Sequence, residues 1–260
     1  MEINLIEKCE GLNYLCRLKS NSVDLVLTDP PYHISRDTGM QHARDTGLGN
    51  SKFHIQTKFG AWDEAFNVQQ LEPFIREIYR VLKKGGTFIC FYDLWKISYL
   101  SSMLKDYKFK QLRFIEWVKT NPVPVNSKIN YLTNSREVAI TAVKGGKPTF
   151  HSEYDNGIYR EAIYQGKKKK IGNKTYKERC HPTQKSLNLF ETLIKKHSNY
   201  GELVVDPFLG SGTTLIAALN TGRDFGGCEI DDDYYNKMMD RLKIFYPEHY
   251  DLVNKDEQET

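Results

Sequence analysis

The 260-residue sequence has no cysteine pair at C-x-x-C spacing, no Gly-Lys-Ser/Thr of a P-loop, and no apolar stretch near the ~20 residues that span a bilayer. Its five cysteines (Cys9, Cys16, Cys90, Cys180, Cys228) are odd in number and widely spaced. A disulfide scaffold and a zinc knuckle are therefore excluded, no metal is expected, and a reducing cytoplasm fits. The opening MEINLIEKCEGLNYL lacks a basic start followed by an apolar run, so neither export nor membrane anchoring is expected. Glycine (18) and proline (9) are too few for a collagen-like or low-complexity chain. Neither sign of charge dominates: 37 Lys and Arg stand against 33 Asp and Glu, a formal +4. That balance permits a polyanionic partner only if the positive charge is clustered. There is no internal repeat. At ~150 residues per domain the length fits one large domain, or one carrying an insertion.

Short runs rich in Val, Ile and Phe alternate with helical patterns, which predicts an α/β protein with a mostly parallel sheet. Seven strands are predicted: Ile3 to Ile6, Val23 to Thr28, Thr87 to Tyr92, Leu112 to Val118, Glu137 to Val143, Leu203 to Val205 and Phe225 to Glu229. Leu71, Phe74, Ile75, Ile78, Tyr79 and Leu82 recur at helical spacing, with Gly85 or Gly86 expected to end that helix. Further apolar stripes, Phe190 to His197 and Tyr235 to Tyr246, read as core-facing helices. Two segments lack such patterns. Ser35 to Lys58 reads as a long surface loop, expected to order on binding a partner. Gly145 to Arg179 is basic from residue 167 onward, with Glu178 the only acid there and with aromatics interleaved.

The strand ending at Val205 runs into DPFLGSGTT, Asp206 to Thr214, and then a small-residue helix. Gly210 and Gly212 let a ligand approach the backbone, but Leu215 stands where a pyrophosphate fingerprint needs a third small residue. Asp206 would repel a phosphate there and suits a cationic group. Seventeen residues after Gly212, Glu229 ends the next strand, where a carboxylate can accept from both ribose hydroxyls. A nucleoside with a cationic, non-phosphate group points to S-adenosylmethionine. The plainer alternatives are a solvated strand-end acid and an ordinary turn.

A second constellation, TDPPY, Thr28 to Tyr32, ends the strand VDLVLT. Pro30 and Pro31 remove two amide donors, so the backbone offers carbonyl acceptors, Asp29 adds a carboxylate, and Tyr32 a stacking face. Such a row suits the exocyclic amine of a nucleobase, although a strained turn without a ligand is the simpler alternative. An aromatic amine is a poor nucleophile because its lone pair is delocalised into the ring. Accepting hydrogen bonds from its N–H groups favours a pyramidal nitrogen aimed at the methyl donor.

With these motifs in this order, the chain resembles the amino methyltransferases of DNA, in the arrangement where the catalytic motif precedes the cofactor motif. The resemblance extends through RVLKKGG (Arg80 to Gly86), EWVKTNPVP (Glu116 to Pro124), HPTQK (His181 to Lys185) and CEID, nearly the whole chain. It implies a Rossmann-like methyltransferase fold, with a catalytic half 1–144, a target-recognition insertion 145–180 and a cofactor half 181–250. It also implies that Asp29, Pro30, Pro31 and Tyr32 hold the flipped target base. S-adenosylmethionine would be bound by Asp206, Phe208, Gly210, Ser211, Gly212 and Glu229, with Glu10, Asp29 and Lys185 assisting. His181 reads equally as a ligand contact or a structural histidine. Two departures stand out: Ser186 follows Lys185 where the family usually has proline, and Cys9-Glu10 stands where Gly-Asp is common.

Double-stranded DNA is the partner so implied, with Lys167, Lys168, Lys169, Lys170, Lys174, Tyr176, Lys177 and Arg179 as its candidate contacts; a plain solvated surface is the alternative for the lysines. The resemblance permits a homodimer and implies a cognate restriction endonuclease acting on the same site. Asp ahead of the two prolines resembles the adenine-modifying members, which makes N6-adenine methylation the expected reaction. N4-cytosine methylation and a non-catalytic nucleic-acid-binding module are the rivals.

Overall fold

The computed structural model describes residues 5–31, 68–122, 133–180 and 183–254. Tyr32, the Ser35 to Lys58 loop and His181 lie outside the described residues. In chain order the elements are β1 (Leu5–Lys8), α1 (Gly11–Arg17), β2 (Val23–Thr28), α2 (Val68–Val81), β3 (Leu82–Tyr92) and α3 (Ile97–Asp106). There follow β4 (Lys110–Lys119), β5 (Arg136–Val143), β6 (Ile158–Glu161), β7 (Lys168–Ile171), β8 (Lys174–Lys177) and α4 (Leu187–His197). The chain continues through β9 (Leu203–Asp206), α5 (Thr213–Asn220), β10 (Asp224–Glu229), α6 (Asp232–Phe245) and α7 (Pro247–Val253).

One sheet has the order β1-β10-β9-β2-β3-β5-β4-β6, in which β5 alone runs antiparallel to its neighbours. Both faces of β2, β3, β9 and β10 are covered, which is why these strands read as near-continuous apolar runs, whereas β4 and β6 are largely exposed or half-buried. Alternation along β2 and β3 divides the core. Leu25, Leu27, Ile89 and Phe91 pack with α4, α5 and α6, whereas Val26, Phe88, Cys90 and Tyr92 pack with α1, α2 and α3. Strand order reverses between β9 and β2, and ligands of such sheets bind beyond the carboxyl ends of the strands at this switch point. Asp29 follows β2 and Asp206 ends β9, so the two sequence motifs meet there. Among the described residues no helix is long and apolar enough to cross a membrane.

The sheet differs from the seven strands expected. β6, from the basic insertion, pairs parallel with β4, and the Trp117 indole donates to the Glu161 carbonyl (2.9 Å). The helix carrying Leu71 to Ile78 ends at Val81, not at the glycines. Leu82 pairs with Val23 and opens β3. Gly85 lies inside a bulge at φ +86, its N–H bonded to the Gly145 carbonyl (2.7 Å), so the glycines bend a strand here.

The lysines of the insertion form the separate hairpin β7–β8. Its base is fastened by Glu178, whose backbone N–H bonds the Lys167 carbonyl (2.9 Å) while its Oε2 accepts from the Lys167 N–H (3.0 Å). The Glu178 carboxylate is fully buried and ion-paired to the buried Arg241 of α6 (3.1 Å). Tyr246 also donates to it (2.5 Å). Burial opposes ionisation of this carboxyl, but its hydrogen bonds and Arg241 outweigh that and hold it below the usual range. A buried pair costs most when one partner is lost. Arg241→Met is expected to lower unfolding free energy in urea by ~3–5 kcal/mol, and Arg241→Met with Glu178→Met to recover most of that loss. A single-variant loss no larger than that of the double variant would overturn the assignment.

Candidate active site

Two short loops at the carboxyl edge of β2 and β9 wall a cavity of about 490 Å³. Asp206 is buried at 2% exposure, and both its oxygens are bonded: Oδ1 accepts from the Thr28 hydroxyl (2.6 Å) and the Phe208 N–H (3.0 Å), Oδ2 from the Thr214 hydroxyl (2.6 Å). These bonds tie β2, β9 and α5 together beneath the loop. Burial pushes the Asp206 carboxyl up to about 6 despite those donors.

Gly210 and Gly212 both take positive φ (+52 and +73), and Gly212 caps α5. A Cβ on Gly212 would stand 2.7 Å from the Met238 side chain, so packing as well as conformation requires glycine. At Gly210 a Cβ would meet nothing within 4 Å, which leaves open space above the backbone. Glu229 spans the next step: Oε2 accepts from the Gly210 N–H (2.6 Å) and Oε1 from the Asp231 N–H (2.9 Å). Only 8% exposed, it is no solvated strand-end acid, and burial raises its carboxyl. The Phe208 ring packs on Phe74 (4.8 Å between centroids), giving the cavity an aromatic wall. Glu10 caps α1, accepting from the Asn13 N–H (3.4 Å), and lines the opposite side.

Pro30 and Pro31 also line the cavity. Asp29 does so asymmetrically. Its Oδ2 is ion-paired with Lys185 (2.8 Å), whereas Oδ1 is buried and has no hydrogen-bond partner among the described residues. Burial dominates its titration and, against the attraction of Lys185, pushes the carboxyl up to about 6. Lys185, 5% exposed, also pairs with Glu137 Oε2 (2.7 Å), and Lys119 holds Glu137 Oε1 (2.6 Å). Burial disfavours the Glu137 carboxylate, but the two ammonium groups outweigh it and hold its pKa down to about 2. Gln184 lies beside them, with Oε1 accepting from the Cys180 N–H (3.1 Å) and Nε2 buried without a partner among the described residues.

Asp29, Pro30, Pro31, Glu10, Lys185, Asp206, Phe208, Gly210, Ser211 and Glu229 therefore line one cavity. Gly212 shapes its floor. Glu137, Lys119, Thr28, Thr214 and Gln184 are not among the site residues expected from sequence. For Glu137 and Lys119 the available signal is a charge at one end of an apolar strand, and it becomes meaningful once β5 is known to run antiparallel and to start at the edge of the sheet where the cavity lies.

The DNA candidates sit apart, on the exposed hairpin, and face two ways. Lys169 donates to the Ile244 carbonyl (2.7 Å), and Lys167 stands over the Tyr246 ring (5.7 Å), so both turn toward the α6–α7 corner. Cross-strand partners share a face: Lys168 with Lys177 and Lys170 with Thr175 lie on one, Lys169 with Tyr176 and Ile171 with Lys174 on the other. Arg179 is half-buried at the hairpin's base. Arg241, which anchors Glu178, also donates to the Ser211 carbonyl (2.8 Å), joining the hairpin to the glycine turn.

Among proteins of known type, the Type II methyltransferase M2.DpnII of Streptococcus pneumoniae is 32% identical over 246 residues, covering 90% of this chain and 87% of its own. M2.MboI of Moraxella bovis is 31% identical over 230 residues, covering 84% and 80%. The solved M1.HpyAVI–SAM complex superposes with a TM-score of 0.62 at 28% identity over 92% of this chain and 99% of that one. The cytosine-N4-specific PvuII DNA methyltransferase matches in fold, with a TM-score of 0.68 at 17% identity over 96% of this chain and 91% of its own. The N6/N4 methyltransferase family, described as DNA methylase, matches residues 23–240. A cavity built on DPP and a glycine turn, and a match over most of the chain, lead to one assignment: this chain belongs to the N6/N4 DNA methylase family.

Proposed function

We propose that the chain methylates the N6 amine of an adenine flipped out of double-stranded DNA, as the modification arm of a restriction-modification system with a cognate endonuclease. The observation that carries this reading is the buried Oδ1 of Asp29, without a donor among the described residues, in a residue that lines the cavity beside Pro30 and Pro31. A buried acceptor without a donor is costly, so this oxygen is suited to an incoming N–H. Asp29 accepts one amine hydrogen, the Pro30 carbonyl accepts the other, and Tyr32, close by in the chain, stacks on the base. The acidic residue ahead of the two prolines supports adenine over cytosine.

The cavity fits S-adenosylmethionine, which supplies an activated methyl group when bound. Glu229 accepts from the ribose with the acceptor capacity that its backbone donors leave. The open space above Gly210 admits the nucleoside against backbone, Phe208 forms a wall for its base, and Asp206 with Asp29 supplies negative charge for the cationic end. Lys168, Lys170 and Lys177 meet phosphates, with Lys167, Lys169, Lys174, Tyr176 and Arg179 around them; phosphate contacts set the register of the duplex and base-edge contacts specify the site.

Digestion of methylated DNA to nucleosides and mass analysis is expected to return N6-methyldeoxyadenosine; N4-methyldeoxycytidine would overturn the base assignment. Asp29→Ala is expected to abolish turnover at saturating DNA with cofactor affinity changed only a few-fold. Glu229→Ala should instead weaken cofactor binding by ~1.5–3 kcal/mol in calorimetry. Because Asp29 must be ionised to accept, and its folded pKa is raised to about 6, kcat/KM should fall as pH drops through that value.

Replacing Lys168, Lys170 and Lys177 together by alanine should reduce the slope of log affinity against log salt by ~0.9 for each phosphate that these lysines neutralise, for specific and non-specific duplexes alike. An unchanged slope in that variant would leave these lysines as solubilising surface.

A further inference from the structure

The ion pairs around Lys185 reach beyond the residues that touch a substrate. Lys185 Nζ lies 2.8 Å from Asp29 Oδ2 and 2.7 Å from Glu137 Oε2, and Glu137 Oε1 is in turn held by Lys119 at 2.6 Å. The four charges form a chain, from the loop after β2, through the segment before α4, to the start of β5 and the end of β4. Glu137 does not line the cavity, yet it competes with Asp29 for a single cation.

Lys185 could otherwise rotate its three donors onto Asp29 alone. Both carboxylate oxygens would then be drawn to the ammonium, and Asp29 would offer a poorer acceptor to any amine. Glu137 prevents this by claiming part of the charge, and Lys119 sets how strongly it does so. We infer that Glu137 is a positioning residue for methyl transfer, one that divides the Lys185 ammonium so that one oxygen of Asp29 is tied and the other, without a donor among the described residues, keeps its acceptor capacity for the target amine. The inference rests on the reading of Asp29 as the amine's acceptor.

The sign of each perturbation follows from the groups that face Asp29. Lys185 and Lys119 favour its ionised form. Glu137 on β5 and the neighbouring Asp206 on β9 disfavour it, and the Cys90 thiol on β3, itself pushed well up by burial, stays neutral beside it. Neutralising Glu137 removes a like charge and gives Lys185 wholly to Asp29, so the Asp29 carboxyl titrates at lower pH while becoming a weaker acceptor. Neutralising Lys119 leaves the charge of Glu137 less compensated, so Asp29 titrates at higher pH. A role confined to packing gives no such opposition.

The test is the pH profile of kcat/KM for Glu137→Gln and Lys119→Met, each compared with the parent protein, with kcat measured at the plateau. The acid limb is expected to move down in Glu137→Gln and up in Lys119→Met. The plateau kcat of Glu137→Gln is expected to fall about tenfold or more, with KM for S-adenosylmethionine within about twofold, and Glu137→Asp to restore part of it. Limbs that stay in place in both folded variants, or that move in the same direction, overturn the positioning role. Should Glu137→Gln not fold, Lys119→Met alone decides by the direction of its limb. Asp29→Ala separates the two levels: retained turnover there sinks the acceptor reading itself, whereas loss of turnover with unmoved limbs sinks only the role of Glu137.

Discussion

Burial of charge at the carboxyl edge of the sheet is the constraint on which this structure depends. Asp29, Asp206 and Glu229 all sit where water is scarce, and each has its carboxyl raised by that burial. A protein can keep such groups ionised only by surrounding them with donors. The three solutions differ. Asp206 receives two hydroxyls and a backbone amide, and so becomes a structural knot. Glu229 receives backbone amides from Gly210, Ile230 and Asp231 and still lines the cavity. Asp29 shares a lysine with Glu137, and its remaining oxygen is left without a donor among the described residues. The gradient from fully satisfied to half satisfied runs from the floor of the cavity to the DPP turn.

The fold serves this arrangement by bringing together residues distant in sequence. β2 and β9 are neighbours in the sheet, and the bond between Thr28 and Asp206 joins residues 178 positions apart. Reversal of β5 has a parallel effect. An antiparallel strand delivers its first residues, not its last, to the edge where β2 and β9 end, so that Glu137 reaches Lys185.

Much of this was legible beforehand because the motifs carry their own local chemistry. DPPY and DPFLGSGTT mark strand ends by composition, and the apolar runs of β2, β3, β5, β9 and β10 are long enough to read. What escaped did so for physical reasons. Leu82 continues the stripe of α2 in spacing, but pairing with Val23 claims it for β3, and only tertiary structure decides between the two. β6 has exposed and half-buried residues in alternation and no apolar run, since one of its faces packs on the protein and the other meets solvent. α1 spans 7 residues, too short for a stripe to establish itself. Glu137 and Lys119 look like ordinary strand-end charges until the register places them beside a shared cation. Glu178 was visible only as the one acid in a basic run; its burial against Arg241 depends on a helix residue 63 positions further along the chain.

Glu178 also governs how the chain can change over time. The hairpin meets α6 through its ends, Lys167 and Glu178, which clamp each other, and through Lys169 on the Ile244 carbonyl, while its tip at Gly172 is exposed. Variation at the tip therefore carries little folding cost, whereas variation at the clamp disturbs a pair that also steadies the glycine turn through the Ser211 carbonyl. The element is an exchangeable cassette with a fixed socket. Between positions 167 and 178 the chain is largely exposed, so the surface it presents and the clamp that holds it are carried by different residues.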